Sequence, residues 1–140
     1  MAKEIIQTSS APKALGPYSQ AVKVNGLIFT SGQLGINPEN GELAEGATKQ
    51  AEQAFKNLAA VLEEAGSGLE KIIKATVFFK DLNEFTAVNE VYATFFSSDF
   101  PARSAFQVAK LPLDAEIEIE VIAEAQIFRN KFDNNKKQTI

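Results

Sequence analysis

Residues 72–106 read IIKATVFFKDLNEFTAVNEVYATFFSSDFPARSAF, and this stretch decides the fold. Ile72 to Phe79 is dense in β-branched and aromatic residues, the composition of a strand buried on both faces or nearly so. Asp81 stands three residues before Glu84, the spacing of a helix-starting box, and Phe85, Val88, Tyr92 and Phe96 then recur at helical intervals. That helix ends before Pro101, and Arg103 to Ala109 returns to strand character.

On the C-terminal side, the loop from Lys110 to Asp114 leads into a strand from Glu116 to Phe128. On the N-terminal side, Ala47, Ala51, Ala54, Phe55, Leu58, Ala59 and Leu62 mark an amphipathic helix that stops at Gly66. Asn37-Pro38 and Asn40-Gly41 make the loop before it. Earlier still come strands from Glu4 to Thr8, Ser19 to Val24 and Leu27 to Ser31, the last two joined by an Asn25-Gly26 hairpin turn. The order β-β-β-α-β-α-β-β places each helix between strands. It predicts an α+β sandwich, a mixed six-stranded sheet with two helices on one face. Residues 1–128 read as a single domain, and the polar, aperiodic residues 129–140 as a mobile C-terminal tail.

Composition narrows the function. No apolar run is long enough to span a bilayer, and the N-terminus lacks the long apolar stretch of a secretory signal, so no membrane is expected and the location is read as cytoplasmic. A net charge of −4 argues against nucleic acid as partner, since backbone binding depends on an excess of Lys and Arg. With neither His nor Cys the chain cannot build a Ser-His-Asp triad, a Cys nucleophile or the usual His/Cys zinc site. Acid-base work falls to carboxylates, Lys, Tyr or backbone groups.

Of two arginines against twelve lysines, Arg103 enters an otherwise apolar strand just after a proline. A guanidinium presents a planar fork that matches a carboxylate, so it holds either a ligand acid or one of the chain's own. Glu116, Glu118 and Glu120 alternate with Ile117, Ile119 and Val121 and so share one strand face. That face is either solvated or sets one carboxylate in a cleft with a raised pKa. Asn89 falls within the apolar stripe of the second helix and needs partners, in a cleft or in a structural bridge. Tyr18 either faces a cleft or packs on its rim, and Ser31-Gly32 is either a close-approach point for a ligand or a turn. A sheet with helices on one side leaves its other side to be hidden, which predicts a homo-oligomer, testable by light scattering at micromolar concentration.

The segments Gly16-Pro-Tyr-Ser-Gln-Ala21, Phe29-Thr-Ser-Gly-Gln33, Lys74-Ala-Thr-Val-Phe78, Asp81-Leu-Asn83, Phe85, Asn89, Tyr92, Phe96, Pro101-Ala-Arg-Ser104 and Glu118-Ile-Glu120 resemble the RidA/YjgF family of reactive-intermediate deaminases. The likeness runs over roughly residues 3 to 127 and implies a chorismate-mutase-like fold, assembled as a homotrimer whose sheets form a barrel with clefts between subunits. It also implies hydrolysis of 2-imino acids such as 2-iminobutanoate and 2-iminopropanoate to 2-oxo acids and ammonia, with no metal or other cofactor.

By the same resemblance Arg103 holds the substrate carboxylate and Glu118 positions or activates water. Tyr18, Ser31, Gly32 and Asn89 line the cleft. Where the family often has a cysteine, this chain has Ala105, which leaves only a backbone contact there. The chemistry suits the composition, because an imine carbon is already electrophilic and needs chiefly a fixed carboxylate, an oriented water and a proton path. Rival readings are a regulatory module that binds small carboxylates, a ribonuclease or translation inhibitor, and a holdase-like chaperone.

Overall fold

The computed structural model describes residues 2–125. The expectations for the end of the last strand, residues 126–128, and for the polar tail lie outside the described residues.

The described residues form seven strands and two α-helices besides short 3₁₀ turns: β1 Glu4–Ile6, β2 Ala21–Val24, β3 Leu27–Thr30, β4 Gln33–Leu34, α1 Ala47–Glu64, β5 Ile72–Phe79, α2 Phe85–Thr94, β6 Ala102–Gln107 and β7 Ile117–Glu124. They form one mixed sheet in the order β1-β2-β3-β7-β5-β6, with β4 also paired to β7. Only β5 and β6 run parallel, joined through α2 as the crossover reading requires. The strand beyond the six expected is β4, two residues long and too short to leave a period-two pattern in sequence.

Local chemistry sets the boundaries. Asn25 and Gly26 both take positive φ, 51° and 79°, as the tight β2–β3 hairpin demands. At the end of α1, Gly66 adopts φ 80°, and the amides of Gly66 and Ser67 return to the carbonyls of Glu63 and Leu62 at 3.0 and 2.8 Å, a glycine-terminated Schellman close. The box before α2 is used one step earlier than expected: Asp81 Oδ1 accepts from the Asn83 amide at 3.0 Å and caps a short 3₁₀ turn, Leu82–Glu84, that leads into the helix. α2 stops at Thr94, short of the expected Phe96. Phe95 and Phe96 nevertheless stay docked on Phe55, with ring centroids 4.7 and 6.0 Å away.

Both helices pack on one sheet face. Phe55, Leu58, Val61 and Leu62 of α1 meet Ile28, Ala75, Val77, Phe79, Ile117, Ile119 and Val121 of the sheet, all buried. The expectation that β5 is buried on both faces is corrected. Ala75, Val77 and Phe79 are buried under the helices, whereas Lys74, Thr76 and Phe78 on the other side are only partly covered. Among the described residues no element lies over that second face, where Phe29 and Phe106 remain 41% and 44% exposed.

Three buried amides, none given a role from the sequence, lock loops to this frame. Asn57 donates to the carbonyls of Leu34 and Ile36 at 3.2 and 2.9 Å, tying β4 to α1. Gln50 accepts from the Glu116 amide at 2.8 Å and donates to Ala44. Gln20 spans Thr8 and Pro12, fixing the N-terminal loop.

Gly35 lets β4 approach α1 closely: a Cβ there would fall on the Gln50 Cα and 2.8 Å from its carbonyl carbon, both backbone atoms. Gly35→Ala is therefore expected to destabilise the fold by about 1–3 kcal/mol, the usual cost of overpacking. Urea unfolding would show it as a lower midpoint at unchanged slope, and an unchanged midpoint would contradict this packing. No helix among the described residues is long and apolar enough to cross a membrane.

Candidate active site

A break in one strand builds the first half of the site. β3 pairs with β7 through Phe29, opposite Ile122, and pairing resumes at Gln33, opposite Ile119. Between them Thr30 fills the ladder with its side chain, Oγ1 accepting from the Val121 amide at 3.0 Å and lying 3.3 Å from the Val121 carbonyl. Ser31 and Gly32 are thereby freed to bend away. Ser31 turns back to the β2 approach, its amide donating to the Gln20 carbonyl at 2.9 Å and its hydroxyl to the Ser19 carbonyl at 2.6 Å.

Glu118 of β7 occupies the space this bend opens, directly against Gly32. A Cβ at position 32 would collide with the Glu118 carboxylate, lying 2.7 Å from its Cδ. Glycine at 32 is thus a close-approach residue, though for the protein's own carboxylate. Tyr18, Ser31, Gly32, Glu118 and Glu120 line one open cleft of about 940 Å³, walled on its apolar side by Leu15, Ile36 and Leu113. Burial pushes the Glu118 carboxyl above the usual carboxylate range, and the nearby Glu120 charge pushes it further the same way. Glu116, the third acid of that face, lies 3.8 Å from Lys80, whose closer partner is Asp114 at 3.1 Å.

Arg103 makes the second half. Its Nη1 donates to Asn89 Oδ1 at 2.6 Å, and its Cζ lies over the rings of Tyr92 and Phe85 at 4.7 and 5.2 Å from their centroids. A pocket of about 350 Å³ is lined by Arg103, Asn89, Tyr92, Phe100 and Pro101, and Ala105 lines a small cavity beneath the guanidinium. Among the described residues the ion pairs both belong to Lys80, so no carboxylate there lies within ion-pair distance of Arg103. The structural-pair reading of Arg103 has no support among them. Its strand is not apolar, as the sequence suggested, but an exposed edge strand.

The expectation that Arg103 and Glu118 face one hollow is not met within a single chain. Arg103 pairs in register with Ala75, which points under the helices, and Glu118 with Phe78, which points to the open face. The sheet separates them. Asn89 and Ala105 lie with Arg103, while Tyr18, Ser31 and Gly32 lie with Glu118.

Because the Glu120 charge contributes to the upward shift of Glu118, Glu120→Gln is expected to lower the pH at which any Glu118-dependent activity falls on acidification. A pH–rate profile checks it, and an acid limb left in place would count against the coupling.

The fold and site define an α+β protein with two helices on one sheet face, a guanidinium that no carboxylate of the described residues pairs in one pocket, and a partly buried carboxylate in another. Its sequence places it more narrowly. The chain belongs to the Endoribonuclease L-PSP family, whose pattern matches residues 8–125. It is 48% identical over 124 residues to the 2-iminobutanoate/2-iminopropanoate deaminase of Capra hircus, covering 88% of this chain and 90% of that one. The YjgF gene product of E. coli superposes with a TM-score of 0.85 at 46% identity, over 88% of this chain and 99% of the other. TdcF of E. coli, solved with bound serine, gives 0.84 at 44% identity over the same shares of the two chains. The resemblance read from the sequence segments, and the fold it implied, are thus borne out.

Proposed function

We propose that this chain is a 2-imino acid deaminase that hydrolyses 2-iminobutanoate and 2-iminopropanoate to 2-oxo acids and ammonia, working in the cytoplasm as a homotrimer. The observation that carries the reading is the guanidinium of Arg103, held by Asn89 and two rings with no carboxylate of the described chain paired to it. Relatives named for this reaction support it, and so does the serine in TdcF, a small molecule with a carboxylate of the same kind.

The two halves meet only if a second copy brings its Glu118 cleft against the Arg103 pocket of the first. The uncovered sheet face, with Phe29, Phe78 and Phe106 beside Glu118 and Glu120, is the surface such an assembly would bury. In the joined cleft Arg103 forks the substrate carboxylate and fixes C2. Water adds to C2 as the C=N π pair moves to nitrogen, which takes up a proton, while Glu118 receives the proton that the water loses. Protonated Glu118 then gives its proton to the nitrogen of the resulting carbinolamine and takes up the hydroxyl proton as the C–N bond breaks, so that ammonia leaves and the carbonyl forms, and Glu118 finally returns to solvent one proton for the one the imine nitrogen took from it. Tyr18, Ser31 and Gly32 shape the Glu118 side of this cleft.

The test is a coupled assay in which a threonine dehydratase generates the imine and release of 2-oxobutanoate is followed. Faster release with the protein than without it is expected. Release at the uncatalysed rate, with tight binding of 2-oxobutanoate retained, would favour a carboxylate-binding module instead.

A further inference from the structure

The exposed edge strand that carries Arg103 supplies no burial to fix the plane of its guanidinium. α2 supplies the constraint instead. Phe85, Asn89 and Tyr92 stand at i, i+4 and i+7, one stripe of the helix, and all three touch the same group. Asn89 takes one N–H at the edge while the two rings meet the guanidinium, and among the described residues no other group takes its remaining donors.

Tyr92 is the fixed member of this set. It is 5% exposed, with its ring 5.5 Å from Phe55 in an edge contact and 5.0 Å from Phe96, so the central aromatic cluster holds it from behind. Its hydroxyl is buried with no hydrogen-bond partner among the described residues, and burial pushes that group's pKa up, against a smaller downward pull from Arg103. The hydroxyl therefore stays neutral and is not a counter-charge to Arg103; what Tyr92 offers the arginine is its ring.

We infer that Tyr92 is a positioning residue for Arg103, its ring a rigid platform that holds the guanidinium plane in the orientation that forks a substrate carboxylate. The part played by the carboxylate rests on the proposed function, whereas the stacking does not. A planar cation over an aromatic face is held in both position and tilt, which a lysine ammonium would not be.

Three variants and one spectrum test this. Tyr92→Leu, which removes the ring, is expected to raise KM for the imine and weaken 2-oxobutanoate binding by calorimetry, roughly three- to thirtyfold, with kcat within about twofold. Tyr92→Phe, which keeps the ring, should restore both to within about twofold of the parent. Phe95→Leu, which removes a ring stacked on Phe55 at 4.7 Å and not one of those that meet Tyr92 or Arg103, should lower the melting temperature but leave KM unchanged. Equal KM effects from Tyr92→Leu and Phe95→Leu, or unaltered binding in a folded Tyr92→Leu, would overturn the inference.

Should Tyr92→Leu fail to fold, the parent protein still decides. Ring currents should move the Arg103 Nε–H proton upfield of its position in the urea-unfolded chain, and an unshifted proton would refute the platform. If the parent neither hydrolyses imines nor binds 2-oxobutanoate, the proposed function fails while the same spectrum still judges the stacking.

Discussion

Replacing Arg103 by alanine is expected to lower kcat/KM for 2-iminobutanoate by roughly 10² to 10⁴-fold, because two charge-assisted hydrogen bonds of ~1.5–3 kcal/mol each are lost together. The loss should appear in both binding and turnover, since the carboxylate anchors C2 against the attacking water. Stability should change little. Arg103 lies on an exposed edge strand, and its side chain bonds only Asn89 among the described residues. Arg103→Lys keeps the charge but loses the planar fork, and is expected to fall between alanine and the parent. The dehydratase-coupled assay with parallel thermal melts checks both variants. An Arg103→Ala protein as fast as the parent would remove the guanidinium from the mechanism.

Glu118→Gln should separate activity from stability. Loss of a general base typically costs about 10² to 10⁴-fold in rate, and glutamine keeps the shape while losing the proton acceptor. The folded-state pKa of Glu118 is raised, so the folded protein holds its proton to higher pH than the unfolded chain does. The unfolding free energy therefore falls as pH rises from the ordinary carboxylate range through that raised value, and the cost persists at neutral pH. Glutamine never carries the charge and escapes this cost. The variant is thus expected to melt about 1–3 °C higher than the parent at pH 7, with the difference closing as pH falls below the ordinary carboxylate range. A lower melting temperature at pH 7 would mean that Glu118 is a stabilising charge rather than one held at a cost for chemistry.

What was legible in the sequence was what short-range rules govern. The Asn25-Gly26 hairpin, the Gly66 stop, the apolar stripe of α1 and the strand from Ile72 to Phe79 all depend on neighbours within a few residues. β4 was not, because it exists through tertiary contact: Gln33 and Leu34 become a strand where β7 offers an edge and Asn57 holds their far side. Nor were the roles of Gln20, Gln50 and Asn57, whose partners lie up to 66 residues away.

The pairing of Glu118 with Gly32 could not be read from two separated motifs, although a glycine in a strand is a recognised sign of close approach. Arg103 and Glu118 were each identified, yet their faces depend on the register of β5 with its two neighbours. Ala75 and Phe78 are three residues apart on one strand, and that odd spacing sends the partners of the two residues to opposite sides of the sheet.

That separation makes a site shared between two copies testable by complementation. Arg103→Ala chains and Glu118→Gln chains, each inactive alone, would be mixed, unfolded and refolded together so that hybrid oligomers form. If the working site joins Arg103 of one copy to Glu118 of another, random mixing into trimers should restore roughly a quarter of the parent rate, since each hybrid ring holds one intact pair. Mass spectrometry showing hybrid trimers with no activity above that of either variant alone would contradict a shared site.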